Sequence, residues 1–427
     1  MLARVPIAYP DITDIIGESG LKPDMLRALL HQYHASRALQ SANHKERKTD
    51  SYKNGWTPLS SAILQFLCKQ YNQYIQLLEK KALLEVRRNP RTGNKSYSNG
   101  TKACLYRVPS RFLLVRGINH TYREEEVRDK KTIRALEGTA RRRSRMLYKS
   151  LEPVHQTLVS FVNQARFDLE EATDYFDNNR KKYPDTREHM DYMAAFNDGL
   201  ISYANVDGFG NRLHTPLSGS WKVLRCFLRF DGHKNTQLKE LDVACSQPYL
   251  LSSLTPEALK LVPDTYSIND ELRQMSDHKI FAFECREGKI YDYWASAMNI
   301  TRAEAKESLF STMFSWTSYI PDTDTNISRA GVFFDVTFPS VSKIIAQCKR
   351  KSYKNLPQLL QRIESAVMFK HIVPELISAG ISPLLTVHDS IIVLPEHAEQ
   401  TLRIMTDSYA KTLACKPPKI VLRNAGE

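Results

Sequence analysis

The stretch LLTVHDSIIVL, residues 384–394, sets His388 and Asp389 between two apolar runs, the pattern of a buried hairpin. A carboxylate in such surroundings is either neutralised or held for a cation, because burying it alone costs roughly several kcal/mol. A second acid stands in TQLKELDVACSQPYLLSSL, where Leu238, Leu241 and Val243 mark a strand carrying Asp242 near its end. There it suits Mg2+ shared with substrate phosphates, and equally the N-cap of the leucine-rich helix expected from about Pro248. In ITRAEAKESLFSTMFSW, Thr301 and Glu304 predict a capping box and hence a helix start. Arg302, Lys306, Phe310 and Phe314 then recur every fourth residue on one stripe. An anion ending in a flat ring would satisfy that stripe, with phosphates at the helix start and a base over the rings. The alternative is an amphipathic helix with mixed edges. In DGFGNRLHTPLSGSWKVLR a Gly-rich turn precedes Arg212 and His214 on a short extended segment. Arg212 either reaches a duplex groove and its phosphates or makes a surface ion pair of little energetic weight.

These residues fall in the last part of the chain, from about residue 207, where strands and helices alternate. Before it, residues 139–205 read as strongly helical, opening with the basic run ARRRSRMLYK at 140–149, which is either a solvated face or a track for phosphates. Residues 1–56 are polar and read as a short helical or loosely ordered lead-in. From Thr57, read as the cap of a helix beginning at Pro58, two helices carry Leu59, Ile63, Phe66 and Leu67, then Tyr71, Tyr74, Ile75, Leu77 and Leu78. A hairpin with a basic tip follows, bearing Arg87, Arg88, Arg91, Lys95 and Lys102. Helix, helix and basic hairpin fit a winged-helix-like nucleic-acid-binding module; a helical bundle with a surface hairpin is the other reading.

The 427 residues are enough for several domains around a substantial core. With 42% hydrophobic and 25% charged residues the composition is that of a globular protein, and no apolar run is long enough to span a membrane. MLARVPIAYPDITDII has no secretion-signal h-region. Seven cysteines at irregular spacing, without a CxxC pair, point to free thiols rather than a disulfide framework or zinc site, and a cytoplasmic location is expected. The net charge of +13 favours a polyanionic partner, most often nucleic acid.

Taken in order, the motifs resemble the palm and fingers of family A DNA polymerases and their relatives, the single-subunit phage-type RNA polymerases. GNRLHT is similar to the family's Gly-Arg-Leu-Ser segment, DVACSQ to its metal-binding aspartate followed by Ser-Gln, and RAEAKESLFSTMF to its fingers helix. FFDVTFPSVSKII, QRIESAVMFKHIVPEL and the terminal HD hairpin follow in the family's order, so the resemblance covers roughly residues 205–415. It implies an α+β right-hand polymerase with an antiparallel palm sheet and helical fingers and thumb, to which the small N-terminal module adds. The implied layout is a lead-in (1–56), the winged-helix-like module (57–120), a basic helical linker and thumb (121–205), palm (206–264), fingers (265–330) and palm again (331–427).

Residue by residue, the resemblance makes Asp242 and Asp389 ligands of two Mg2+ ions, for which Mn2+ can substitute, with the Val243 carbonyl as an extra ligand. Arg302 and Lys306 become the triphosphate-binding pair, Lys306 also protonating the leaving group. Phe310 and Phe314 become the nucleotide platform and the residue beside the templating base. Arg212 and Gln361, with His214 in the same segment as Arg212, would touch the primer-end minor groove, and His388 would place the primer terminus. The family's SQIE glutamate, which excludes a 2′-hydroxyl, is missing here; SQPY stands instead, leaving Gln247 or Tyr249 for that role. Phe314 replaces the tyrosine usual in DNA polymerases, and HDS replaces HDE. Nothing resembles a proofreading exonuclease. The expectation is a template-directed nucleotidyltransferase acting on primer–template and nucleoside triphosphates, with DNA favoured, in a phage, plasmid or other mobile element. The alternatives are an RNA polymerase or primase of the single-subunit type, and a winged-helix replication initiator or regulator with an inactive palm.

Overall fold

The computed structural model describes residues 1–41, 44–93, 95, 103–115, 118–138, 151–201, 203–263, 268–315 and 326–427, in helices joined to small antiparallel sheets. Among them, no helix is long and apolar enough to cross a membrane. The basic run at 140–149 and Lys102 lie outside the described residues.

The N-terminal unit begins with strand β1 (Leu2–Pro6) and helix α1 (Pro23–Ser41). Strand β2 (Thr57–Ser60), helices α2 (Ser61–Leu67) and α3 (Tyr71–Lys80), and strands β3 (Glu85–Val86), β4 (Ala103–Arg107) and β5 (Tyr122–Glu126) follow. β1 pairs with β5, and β2-β4-β3 form a three-stranded sheet. Thr57 is therefore not a helix cap. It is buried and β-branched and lies in register with Tyr106, as Leu59 does with Cys104, and the helix starts only at Ser61. Nor are residues 1–56 a loose lead-in, since Val5, Ile12, Ile15, Leu26 and Leu30 share one core with Leu64, Tyr74, Tyr106 and Leu136.

The middle of the chain holds α4 (Pro153–Val162), β6 (Ala165–Phe167), α5 (Leu169–Asn178), α6 (Arg187–Asn197), the short pair β7 (Asn205–Val206) and β8 (Leu213–His214), and β9 (Leu228–Phe230). The expected helical stretch is thus interrupted by β6, whose Ala165 and Phe167 point inward while Arg166 points out, and which pairs with β9.

The central sheet contains β10 (Lys239–Val243), β11 (Leu385–Val387), β12 (Ser390–Val393) and β13 (Ile420–Asn424), antiparallel in the order β11-β12-β10-β13. Between β10 and β11 lie α7 (Ser246–Ser252), α8 (Ser276–Arg286), α9 (Ile290–Met298), α10 (Arg302–Phe314), α11 (Asn326–Thr337), α12 (Pro339–Lys349) and α13 (Asn355–Ala366). α13 runs on through a π-helical turn into α14 (Val373–Ser378), and α15 (Ala398–Leu413) connects β12 to β13. Leu241, Val243, Ile391 and Val393 enter the core built with these helices. Leu385, Val387, Ile392 and Leu394 enter a second core with Phe167, Phe176 and Phe227. Both faces of the sheet are covered, which explains why SIIV is apolar without alternation.

One glycine pins the helical lobe to the sheet end. Gly288, between α8 and α9, has φ of 70°, and a Cβ added there would stand 2.7 Å from the Ala244 Cβ just past β10. The Lys419 N–H donates to the Arg286 carbonyl at 2.8 Å, and the Ala244 N–H to the Lys419 carbonyl at 2.9 Å. Gly232, with φ of 84° and nothing within 4 Å, isolates the backbone effect alone. Gly232→Ala is expected to cost about 1–2 kcal/mol, and Gly288→Ala about 1–3 kcal/mol more through overlap. Urea unfolding of both variants checks this; equal losses would contradict the close approach.

Candidate functional site

β10 carries Asp242 directly opposite Ser390, the first residue of β12. Residues facing each other across antiparallel strands have Cα atoms about 4.5–5.5 Å apart. His388 and Asp389 form the two-residue loop joining β11 to β12, with His388 in the left-handed region at φ of 57°. Asp242 and Asp389 therefore occupy the same end of the sheet. The N-cap alternative for Asp242 fails, because Cys245 caps α7 and Asp242 lies within the strand. Burial pushes the half-buried Asp389 carboxyl up to about 8, and the charges of Glu364 and Asp242 push the same way. Below that pH, without a cation, it keeps its proton. No lysine or arginine among the described residues forms an ion pair with it.

Glu364 is a third acid that inspection of the sequence missed. It is 1% exposed, on the inner face of α13 four residues after Leu360 and eight after Leu356. That periodicity was its only signal. Arg212 Nε and Nη2 reach its Oε1 at 2.8 and 2.6 Å, and its Oε2 accepts from Gln247 Nε2 at 2.6 Å and Ser246 Oγ at 3.3 Å. Cys245, left-handed at φ of 55°, turns the chain from β10 into α7, the helix that bears both Ser246 and Gln247. Burial still raises the Glu364 pKa against these partners.

α13 also holds the Gly-rich turn. Ser365 Oγ donates to the Gly210 carbonyl at 2.8 Å and Arg362 Nε to the Phe209 carbonyl at 3.0 Å. Gln361 packs so tightly on the turn that a Cβ on Gly210 would sit 2.5 Å from its Oε1. Arg212, expected to reach toward a duplex, has its guanidinium on Glu364 because that buried acid demands a counter-charge. His214 Nε2 lies 2.7 Å from Asp207 Oδ2, and its ring is 6.1 Å from that of His388. Burial, then Arg212 and His214, push the His388 pKa down to about 3, so its imidazole is neutral near pH 7.

On α10 the capping box is present, with Thr301 and Glu304 each bonding the other's backbone. Ala305, Leu309 and Met313 are buried, which puts Arg302, Lys306, Phe310 and Phe314 on the neighbouring stripe. Tyr291, unnoticed in the sequence, backs that stripe. Arg302 and Lys306 lie 5.6 and 6.0 Å from its ring centre, and Phe310 stacks on it at 6.4 Å. Phe310 and Phe314 meet edge-on at 5.4 Å. Burial raises the Cys245 thiol to about 11 while Arg302 and Lys306 pull it down, so both cations act on the turn that follows Asp242. Burial likewise raises the Tyr291 hydroxyl, which feels both Arg302 and Asp389.

Several expected residues lie elsewhere. Tyr249 is 1% exposed and donates to the Lys416 carbonyl at 3.0 Å, so it is a core residue that offers a nucleotide no surface. The Val243 side chain is buried and the residue pairs with Ile420, which leaves only its backbone as a donor. Arg87, Arg88 and Arg91 belong to the N-terminal unit, in and beside its three-stranded sheet. Arg87 donates to Ser51 Oγ at 3.0 Å, Arg88 pairs with Glu79 at 2.8 Å, and Arg91 is exposed.

For a metal, the side-chain donors are Asp389 and Asp242, whose Oδ2 accepts from Arg423 Nη2 at 2.7 Å, and the Val243 carbonyl is the backbone donor expected beside them. Among the described residues no three His, Cys, Asp or Glu side chains cluster into an all-protein cage. Two carboxylates, with water and substrate completing the shell, suit Mg2+. The Arg212–Glu364 pair joins the segment before β8 to α13 and, through Ser246 and Gln247, to the turn after β10. Arg212→Met is expected to destabilise the protein by about 3–5 kcal/mol, since it strands a buried charge. Adding Glu364→Gln should recover much of that loss; additive penalties in urea unfolding would contradict the pairing.

No protein-family model matches the chain, and no curated protein matches it. Among solved structures it is similar to the POL domain of Pol1 from M. smegmatis, in complex with DNA primer-template and dNTP. The TM-score is 0.29 at 10% identity, covering 70% of this chain and 75% of that one. That likeness is too slight to carry an argument about chemistry, which rests on the side chains themselves.

Proposed function

We propose that this chain is a template-directed nucleotidyltransferase, a compact right-hand polymerase of family A type that makes DNA. The observation that carries this reading is the convergence of Asp242 and Asp389 at one sheet end with the cation–aromatic stripe of α10 beside the turn after Asp242. The central sheet then serves as palm, the helices from α8 to α10 as fingers, and the region before β7 as thumb, while the N-terminal unit binds nucleic acid. Two Mg2+ ions held by Asp242 and Asp389, with Mn2+ able to substitute, would activate the primer 3′-hydroxyl and stabilise the leaving pyrophosphate.

The chain's own residues do the rest. Arg302 takes the triphosphate by exchanging its exposed partner Asp292, 3.0 Å away, for phosphate oxygens. Such a surface pair is worth about 1 kcal/mol at most, so the exchange is easy. Lys306 holds the leaving phosphates and returns a proton to them. Phe310 carries the base, with Tyr291 stacked behind it, and Phe314 stands beside the templating base. The neutral His388 places the primer terminus without adding charge beside Asp389. Arg212 and Gln361 shape the floor under that terminus through Glu364 and the Gly208–Gly210 turn. Of the two residues left for the sugar, Tyr249 is in the core, and Gln247 remains.

Primer extension tests this directly, with dNTPs or rNTPs on primed and unprimed DNA and RNA templates. The expected result is Mg2+-dependent dNTP addition to a primed DNA template, lost in Asp389→Ala. Lys306→Ala should raise KM and lower kcat, together costing about 100–1,000-fold in kcat/KM, with binary DNA affinity nearly unchanged. Exclusive use of rNTPs would make it an RNA polymerase or primase. Equal DNA binding by wild type and Asp389→Ala, with no extension by either, would make it a DNA-binding replication initiator or regulator.

A further inference from the structure

Asp242 is flanked on both sides. β12 brings Asp389 to one side of β10, and β13 brings Arg423 to the other. Arg423 lies opposite Glu240, two residues before Asp242 and on the same face of the strand. Its Nη2 donates to Asp242 Oδ2 at 2.7 Å and stands 3.7 Å from Glu240 Oε1. Glu240 is fully buried. Arg225 Nη1 occupies the same Oε1 at 2.7 Å, and the Gly426 N–H reaches Oε2 at 3.2 Å. Charges therefore alternate along Arg225, Glu240, Arg423 and Asp242, and the row ends on a candidate metal ligand.

We propose that Arg423 is a positioning residue for Asp242, fixing Oδ2 to β13 so that Oδ1 is the oxygen left for a divalent cation on the Asp389 side. This rests on the reading of Asp242 and Asp389 as cation ligands. A carboxylate at the end of a strand turns broadly about its last torsion, and each turn away from the partner acid weakens a shared ion. A guanidinium whose Nη2 donates to Asp242 and stands near Glu240 stops that turning, and its planar, pre-organised group does so at less entropic cost than a lysine ammonium. With Arg423 a quarter exposed, solvent screens the pair, so its main effect is orientation rather than fold stability. Ligating carboxylates commonly have such outer partners, whose loss costs about 10–100-fold in metal affinity or activity. The opposite role, a plug that competes with the ion, has the same resting geometry and the opposite sign on removal.

The experiment is titration of Mn2+ into the nucleotide-free full-length protein, with free Mn2+ read by electron paramagnetic resonance. Arg423→Met should weaken binding about 10-fold or more, and Arg423→Lys should restore part of it. Arg180→Met, which removes an equally charged but exposed side chain paired with Asp177, should leave binding unchanged. In primer extension Arg423→Met should lower kcat while the nucleotide KM stays within about twofold, and higher Mn2+ should restore part of the lost kcat, which a smaller folded fraction would not allow. Unchanged or tighter Mn2+ binding in a folded Arg423→Met protein overturns the proposal, and Arg423→Gln gives the same reading if the Met variant does not fold. The titration needs no nucleotide, so it judges Arg423 even if wild type extends no primer, the result that would instead sink the polymerase reading.

Discussion

The structure turns on the burial of Asp389 beside two further acids, Glu364 and Asp242, at one end of a four-stranded sheet. Asp389 is held well above its ordinary pKa by burial and by Glu364 and Asp242, and no described lysine or arginine pairs with it. Each of the other two acids has its own arginine: Arg212 on Glu364 and Arg423 on Asp242. Glu364 is fully committed to its partners, whereas Asp242 keeps one oxygen and Asp389 has no cationic partner among the described residues. In the proposed function a divalent cation would take up the charge that Asp242 and Asp389 present at this end of the sheet.

Much of the remaining architecture maintains this arrangement. A sheet covered on both faces cannot slip its register without exposing one set of apolar side chains, and this fixes Asp242 opposite Ser390. α13 ties three pieces together by bonding the Gly-rich turn, the start of α7 and Arg212. The approach of Gly288 to Ala244 brings α9, and with it Tyr291, to the same end of the sheet. The cation–aromatic stripe of α10 then follows from the packing of α10 on α9, through Trp294 Nε1 to Ser308 Oγ at 3.1 Å and Phe310 on Tyr291.

Asp389 stood out in the sequence because it interrupts an apolar run, Asp242 because it sits near the end of a strand marked by Leu238, Leu241 and Val243, and the α10 stripe because cations and aromatics share one helical period. The capping box at Thr301 was equally plain. Glu364 escaped because a single glutamate on a leucine-rich helix face looks like an edge residue until its partners, 118 and 152 residues away in sequence, are seen. Arg423 left no local trace, since its meaning lies in strand pairing with a segment 181 residues distant. Thr57 was misread because Thr-Pro opens helices and begins strands alike, and only pairing with β4 decides between them. Tyr249 was misread because its helix turns it into the core, a direction that sequence spacing alone does not set.

The most direct measurement is anomalous diffraction from a crystal of the full chain grown with Mn2+, a terminated primer on its template and an incoming nucleotide. The account predicts strong anomalous peaks within about 2.5 Å of carboxylate oxygens of both Asp242 and Asp389, with the nucleotide phosphates beside Arg302 and Lys306. Peaks absent from these two acids, or a nucleotide bound away from α10, would contradict it.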